Sequence, residues 1–140
     1  MEKAEVKYLL DTSVFLWAIG PCELLNGAAQ DVLNSGSELF LSAASSWEIA
    51  IKSSIKKLPI PEPARRYVPR MLHATGIQSL PITQTHALAV ADLPFYNTDP
   101  FDRMLVAQAQ SEKMVLLTTD SSIVKYDVET LWCGNIFEAD

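Results

Sequence analysis

The chain has 140 residues, 49% of them hydrophobic and 20% charged, with only 5 Gly. That length and balance fit one packed domain over residues 1–140 and exclude a disordered, collagen-like or two-lobed chain. The net charge of −6 argues at first against a phosphate-rich partner, but the average hides a split. Residues 49–76 carry Lys52, Lys56, Lys57, Arg65, Arg66 and Arg70 against Glu62 alone, a local charge of +5 that leaves −11 for the remainder.

In chain order, the apolar run Val6 to Leu10 predicts a strand that ends at Asp11, with Thr12 and Ser13 beside it. Helical patterns follow over Ser13 to Ile19 and Leu25 to Asn34, then a strand over Leu39 to Leu41 and a long helix over Ala43 to Lys57. A short Pro-rich turn leads into a helix over Pro63 to Thr75, a strand over Ile77 to Leu80 and a helix over Thr83 to Leu93. Asp99-Pro100 reads as an N-cap followed by Pro at the first helical position, opening a helix over Phe101 to Ser111. The strand Met114 to Thr118 runs into Asp120, a short helix over Ser121 to Tyr126 follows, and Val128 to Trp132 is the fifth strand. Strands alternating with helices imply a mainly parallel sheet covered on both faces, a three-layer α/β/α sandwich. In such folds the functional crevice lies beyond the carboxyl ends of the strands, where Asp11 and Asp120 share one rim.

Two more acids stand on helices among apolar neighbours. Glu48 falls within the set Ala43, Ala44, Trp47, Ala50, Ile51, Ile55 and Leu58, and Asp102 is followed at helical spacing by Leu105, Val106 and Ala109. An inward carboxylate needs a cation, a hydrogen-bond network or a raised pKa. Each acid also has a simpler reading: Asp11 and Asp120 as N-caps, Glu48 paired with Lys52 at i+4, Asp102 complementing a helix dipole. Together the four could converge on one pocket, and such a cluster of hard oxygen donors suits Mg²⁺ or Mn²⁺, with a phosphate ester as the natural substrate class. The hydroxyls of Thr12, Ser13 and Thr118 could support it. His73 and His86 lack ligand spacing and read as structural; Trp17, Trp47 and Trp132 read as core residues. Cys22 and Cys133 form no C-x-x-C pattern, and the chain has no signal-like start or long apolar run, so a reduced, cytoplasmic protein is expected. No dinucleotide, P-loop or serine-hydrolase motif is present.

The segments Leu9-Leu-Asp-Thr-Ser13, Ser42-Ala-Ala-Ser-Ser-Trp-Glu-Ile-Ala-Ile-Lys52, Leu80-Pro-Ile-Thr83, Ala91-Asp-Leu-Pro94, Asp99-Pro-Phe-Asp-Arg103 and Leu117-Thr-Thr-Asp120 resemble the PIN domain, and more narrowly the VapC-type toxin ribonucleases of toxin–antitoxin pairs. The resemblance runs from about residue 8 to 132 and leaves the tail 133–140 unassigned. It implies that Asp11, Glu48 and Asp102 are the core acids and Asp120 a fourth, usually less essential one. It also implies RNA cleavage with Mg²⁺ or Mn²⁺, a cognate antitoxin and a homodimer. On that reading the basic residues Lys52, Lys56, Arg65, Arg66 and Arg70 become an RNA backbone track; no motif specifies whether the RNA is tRNA or mRNA. Two other readings stay open: a catalytically silent PIN scaffold that binds RNA or a partner, and a CheY-like phosphoacceptor, for which the lone Asp11 and the absence of a Lys after the last strand are a poor match.

Overall fold

Side-chain alternation along the first strand sets the layering. Leu9 and Leu10 are both fully buried, yet they enter different cores because successive strand residues face opposite sides of a sheet. In the computed structural model, which describes residues 5–135, five strands form one sheet in the order β3-β2-β1-β4-β5, every neighbouring pair parallel. They are β1 (Lys7–Leu10), β2 (Glu38–Ser42), β3 (Gln78–Leu80), β4 (Val115–Thr118) and β5 (Thr130–Trp132). On one face α1 (Thr12–Ala18), α2 (Gly27–Leu33), α3 (Ala43–Ser54) and α4 (Ala64–Thr75) cover Leu10, Leu41 and Leu117 with Val14, Phe15, Ala29, Ile49 and Val68. On the other, α5 (Gln84–Ala89), α6 (Pro100–Glu112) and α7 (Ser121–Val124) bring Leu105, Val106, Ala109 and Ile123 against Leu9 and Leu116. The fold is a three-layer α/β/α sandwich, as the alternation of elements predicts.

The chain steps outward from β1 through β2 to β3, then crosses to β4 on the other side of β1. The strand order therefore reverses between β1 and β4, where a parallel sheet opens its crevice. The Asp11 N–H donates to Leu117 O at 2.9 Å, extending the β1–β4 pairing to the first acid.

Several expectations are corrected. The helix expected over Leu25 to Asn34 is instead a 3₁₀ turn (Cys22–Leu24) followed by α2. Asn26 separates them, since its Oδ1 caps Ala29 N while its Nδ2 donates to the carbonyls of Trp132 and Gly134, each at 2.9 Å. The start of the expected unassigned tail is thereby built in: Cys133 is buried and Gly134 bridges Leu25. Residues 136–140 of that tail lie outside the described residues. The helix expected to reach Lys57 stops at Ser54, and Lys56 turns left-handed at φ 60°. The helix expected to reach Leu93 gives way after Ala89 to a 3₁₀ turn (Val90–Asp92), whose Val90 carbonyl, with that of Leu93, accepts from the Arg103 guanidinium. Trp47 is not a core residue; it is 60% exposed, with Phe101 packed edge-on at 5.2 Å. Trp17 and Trp132 are half-buried.

Candidate active site at the carboxyl rim of the sheet

Asp11 leaves β1 as the N-cap of α1, its Oδ1 accepting from Val14 N at 2.8 Å. Its Oδ2 accepts from Thr118 Oγ1 at 2.7 Å and from Thr119 N at 3.3 Å, across the β1–β4 boundary. With 4% of its surface exposed, the carboxyl is pushed up to about 6 by desolvation, against which those hydrogen bonds pull. Thr118 Oγ1 also accepts from Asp120 N at 3.0 Å, so one hydroxyl links the two strand-end acids. Asp120 caps α7 through Ser122, whose N and Oγ both donate to Oδ1 at 2.8 and 2.7 Å. For these two acids, capping and membership of the rim are one geometry, because a helix N-terminus opens where each strand ends.

Glu48 is buried, but the stripe that carries it inward is Ala44, Ser45, Glu48 and Ile49. Ile51 and Ile55, expected on that face, are exposed with Trp47. Small Ala44 and Ser45 let α3 approach α1, where Thr12 Oγ1 donates to Glu48 Oε1 at 2.6 Å and stands 3.0 Å from Ser45 Oγ. Glu48 Oε2 is bound by Lys52 Nζ at 2.6 Å. That bond holds the Lys52 ammonium above its ordinary pKa, with Asp99 and Asp102 adding to the effect, so this lysine faces the acids. Ser13, by contrast, is exposed, and among the described residues no hydrogen bond joins it to these acids.

Asp102 stands in the first turn of α6, behind the N-cap Asp99, which accepts from Phe101 N and Asp102 N. Burial first, and then the charges of Asp99, Asp120, Asp11 and Glu48, push its carboxyl up to about 8. The other three sequence-selected acids are thus near enough to bear on the charge of Asp102. No group of three or more Asp, Glu, His or Cys among the described residues is drawn tightly enough to hold a metal ion by itself. Mg²⁺ needs only one or two carboxylates, with waters and substrate oxygens completing its shell. Hard oxygen donors, one of them deeply buried and two resisting ionisation, fit a divalent cation that would supply the missing charge.

Five participants escaped the sequence reading: Ser45, Asn97, Arg103, Tyr126 and Ser122, which donates to Asp120. Ser45 fixes the approach of α3, Asn97 Nδ2 donates to Asp102 Oδ2 at 3.3 Å and to Ser122 Oγ at 3.0 Å, and Tyr126 OH donates to Asn97 Oδ1 at 2.9 Å. Arg103 is a buried cation whose described partners are all neutral: the carbonyls of Val90, Leu93 and Pro94 and the Tyr126 hydroxyl. Ser45 and Arg103 carried a signal, since both stand in segments already singled out. His86 is structural as expected, capping α5 through Thr83 and meeting Glu112 at 2.7 Å.

A family model described as the PIN domain matches residues 8–129. The chain belongs to the PIN-domain family. Over 57 residues this PIN domain is 47% identical to Ribonuclease VapC16 of Mycobacterium tuberculosis, a stretch covering 41% of this chain and 38% of the length of that relative. The fold is similar to VapBC2 of Rickettsia felis, solved with a fragment of promoter DNA, at TM-score 0.68 and 14% identity over 90% of this chain and 98% of that one. FitAcB of Neisseria gonorrhoeae is similar at TM-score 0.61 and 22% identity, over 88% and 95% of the two chains.

Proposed function

We propose that this PIN domain is a divalent-metal-dependent endoribonuclease of the VapC toxin type. The observation that carries the proposal is the convergence of Asp11, Glu48, Asp102 and Asp120 at the switch point of the sheet, with Asp11 and Asp102 both held above the usual carboxylate range. Local identity to a named ribonuclease supports the same reading.

Asp11 and Asp102 are the acids best placed to hold Mg²⁺ or Mn²⁺, with Glu48 and Asp120 flanking them. The cation, when bound, supplies Lewis acidity toward water and a phosphodiester. Thr118 and Val14 fix both Asp11 oxygens, Thr12 fixes Glu48 Oε1, and Ser122 fixes Asp120 Oδ1, so the carboxylates meet the substrate already oriented. Lys52 neutralises part of the cluster charge that would repel an incoming phosphate. Lys56 and Arg65 line a groove of about 680 Å³ between the end of α3 and the start of α4, and with the exposed Arg66 and Arg70 they form the RNA backbone track of this proposal. A cytoplasmic setting, where Cys22 and Cys133 stay as thiols, matches an RNase.

An RNase of this kind needs restraint, and the VapBC and FitAcB likenesses favour a cognate antitoxin covering the acid rim. Trp47, Ile82 and Phe95 are exposed around a cleft of about 300 Å³ that also includes Phe101 and Met104, an apolar surface suited to a second copy of the chain. Sedimentation of the purified chain at twice its own mass is expected; a monomer whose mass is unchanged by Trp47→Glu removes that assignment.

The decisive experiment incubates metal-stripped protein with total cellular RNA, adding Mg²⁺, Mn²⁺ or EDTA. Cutting with either metal and none with EDTA is expected. Cutting that persists in EDTA rejects the metal-dependent reading, and no cutting by folded, partner-free protein favours the silent scaffold.

A further inference from the structure

Behind Asp102 and Asp120 lies a chain of hydrogen bonds whose direction is forced at every link. Arg103 can only donate, and its Nη1 donates to Tyr126 OH at 3.2 Å and to Pro94 O at 2.7 Å. Tyr126 OH also accepts from Asn97 N at 3.3 Å, so its single proton goes to Asn97 Oδ1 at 2.9 Å. That fixes the Asn97 amide, whose two Nδ2 protons point to Asp102 Oδ2 and Ser122 Oγ. Ser122 Oγ, accepting from Asn97, gives its own proton to Asp120 Oδ1 at 2.7 Å. Reversing the amide would set its NH₂ against the Tyr126 hydroxyl, which already accepts twice.

The frame around this chain is stiff. Arg103 is buried, ties down residues 90–94 through three carbonyls and lies over the Phe95 ring at 4.2 Å; Tyr126 is buried with Tyr96 edge-on at 5.0 Å. Both ends of the loop that presents Asn97 are thereby held, at Arg103 on one side and at the Asp99 cap on the other.

We propose that Arg103, Tyr126, Asn97 and Ser122 form a polarised relay that positions Asp102 and Asp120 together and holds their oxygens ready for a divalent cation. The proposal rests on the metal-dependent reading of the acid rim. Every donor points from the buried guanidinium toward the acids, so each bond polarises the next and a cation that touches neither carboxylate supports both. Asn97 is the branch point and a positioning residue: it joins α6 to α7, two elements that carry one acid each. Without it, Asp102 loses its side-chain donor and Ser122 its orienting partner.

The test is calorimetric titration of Mn²⁺ into metal-free protein, wild type beside Asn97→Ala, Ser122→Ala and Tyr126→Phe, each checked for unchanged circular dichroism. Asn97→Ala is expected to weaken Mn²⁺ roughly 10- to 100-fold, the usual cost of losing a residue that orients metal ligands. Tyr126→Phe touches neither acid, yet is expected to weaken Mn²⁺ about three- to tenfold, and to add almost nothing on top of Asn97→Ala. Ser122→Ala, the mildest change, keeps the inference testable if Asn97→Ala fails to fold, and its effect is expected to be non-additive with Tyr126→Phe. Wild-type affinity in all three variants, or additive effects of Tyr126→Phe and Asn97→Ala, overturns the relay while leaving the metal site standing. A wild type that binds no Mn²⁺ overturns the functional reading itself, and the relay with it.

Discussion

The acid rim and the basic flank are opposite kinds of surface. At the rim, Asp11 and Glu48 are buried and the carboxyl of every acid accepts at least one side-chain hydrogen bond. On the flank, Lys56, Lys57, Arg65 and Arg66 are exposed and none of their ammonium or guanidinium groups meets a carboxylate within salt-bridge reach among the described residues. Charge that is buried and bonded acts at short range through geometry and pKa, whereas exposed charge acts at a distance and is screened by salt. The two regions should therefore fail in different ways.

The largest effect is expected from Asp11→Asn. It keeps the shape of the N-cap while removing the charge of the most buried acid, and RNA turnover should fall by two orders of magnitude or more with the fold retained. Single-turnover cleavage beside circular dichroism reads both; a mutant as active as wild type breaks the assignment of the rim.

The next contrast is in pH. Asp11 and Asp102 keep protons in the folded state, to about 6 and about 8, that they release near 3.8 when unfolded. Their contribution to the stability of metal-free protein is thus full below about pH 4 and is lost as pH rises, first through about 6 and then through about 8. The melting temperature of metal-free protein is expected to fall by about 5–10 °C between pH 5 and pH 8 beyond any change in Asp11→Asn/Asp102→Asn. Added Mg²⁺ should restore most of it at pH 8 and little at pH 5, because the cation competes with protons for the same oxygens. Equal Mg²⁺ shifts at the two pH values would show that it binds elsewhere.

Lys52 belongs to the flank by sequence and to the rim by structure, since i+4 spacing on α3 brings its ammonium to Glu48. As the cation already facing the cluster it opposes the arrival of another, so Lys52→Met is expected to tighten Mn²⁺ binding about three- to tenfold. Weaker binding in that variant would make Lys52 an orienting partner of Glu48 instead.

How legible these regions were depends on how far apart in the chain the partners lie. The layering and the parallel sheet followed from alternating strand and helix patterns, and Asp11 and Asp120 were visible as acids at strand ends. Glu48 was selected for a different reason from the one that buries it. The apolar stripe of Trp47, Ile51 and Ile55 faces outward, and the packing face uses Ala44 and Ser45, small residues that periodicity weighs lightly. The support of Asp102 was illegible because Asn97, Ser122 and Tyr126 meet only when the sheet brings the ends of two helices together; no spacing in the sequence encodes that contact.

The smallest effect per residue is expected on the flank. Lys56→Ala, Arg65→Ala and Arg66→Ala should each lower the slope of log affinity against log salt for single-stranded RNA by about 0.7 if the residue contacts one phosphate, with no change in Mn²⁺ binding. Arg70 should do less, because Glu62 already accepts from its Nε and Nη2 at 2.9 and 2.6 Å and an RNA phosphate must displace that carboxylate. The four replacements measured across a salt series therefore grade the flank by how free each cation is. A slope unchanged by the first three places the RNA elsewhere, and an Arg70 effect as large as theirs means that its pairing with Glu62 yields to phosphate at no cost.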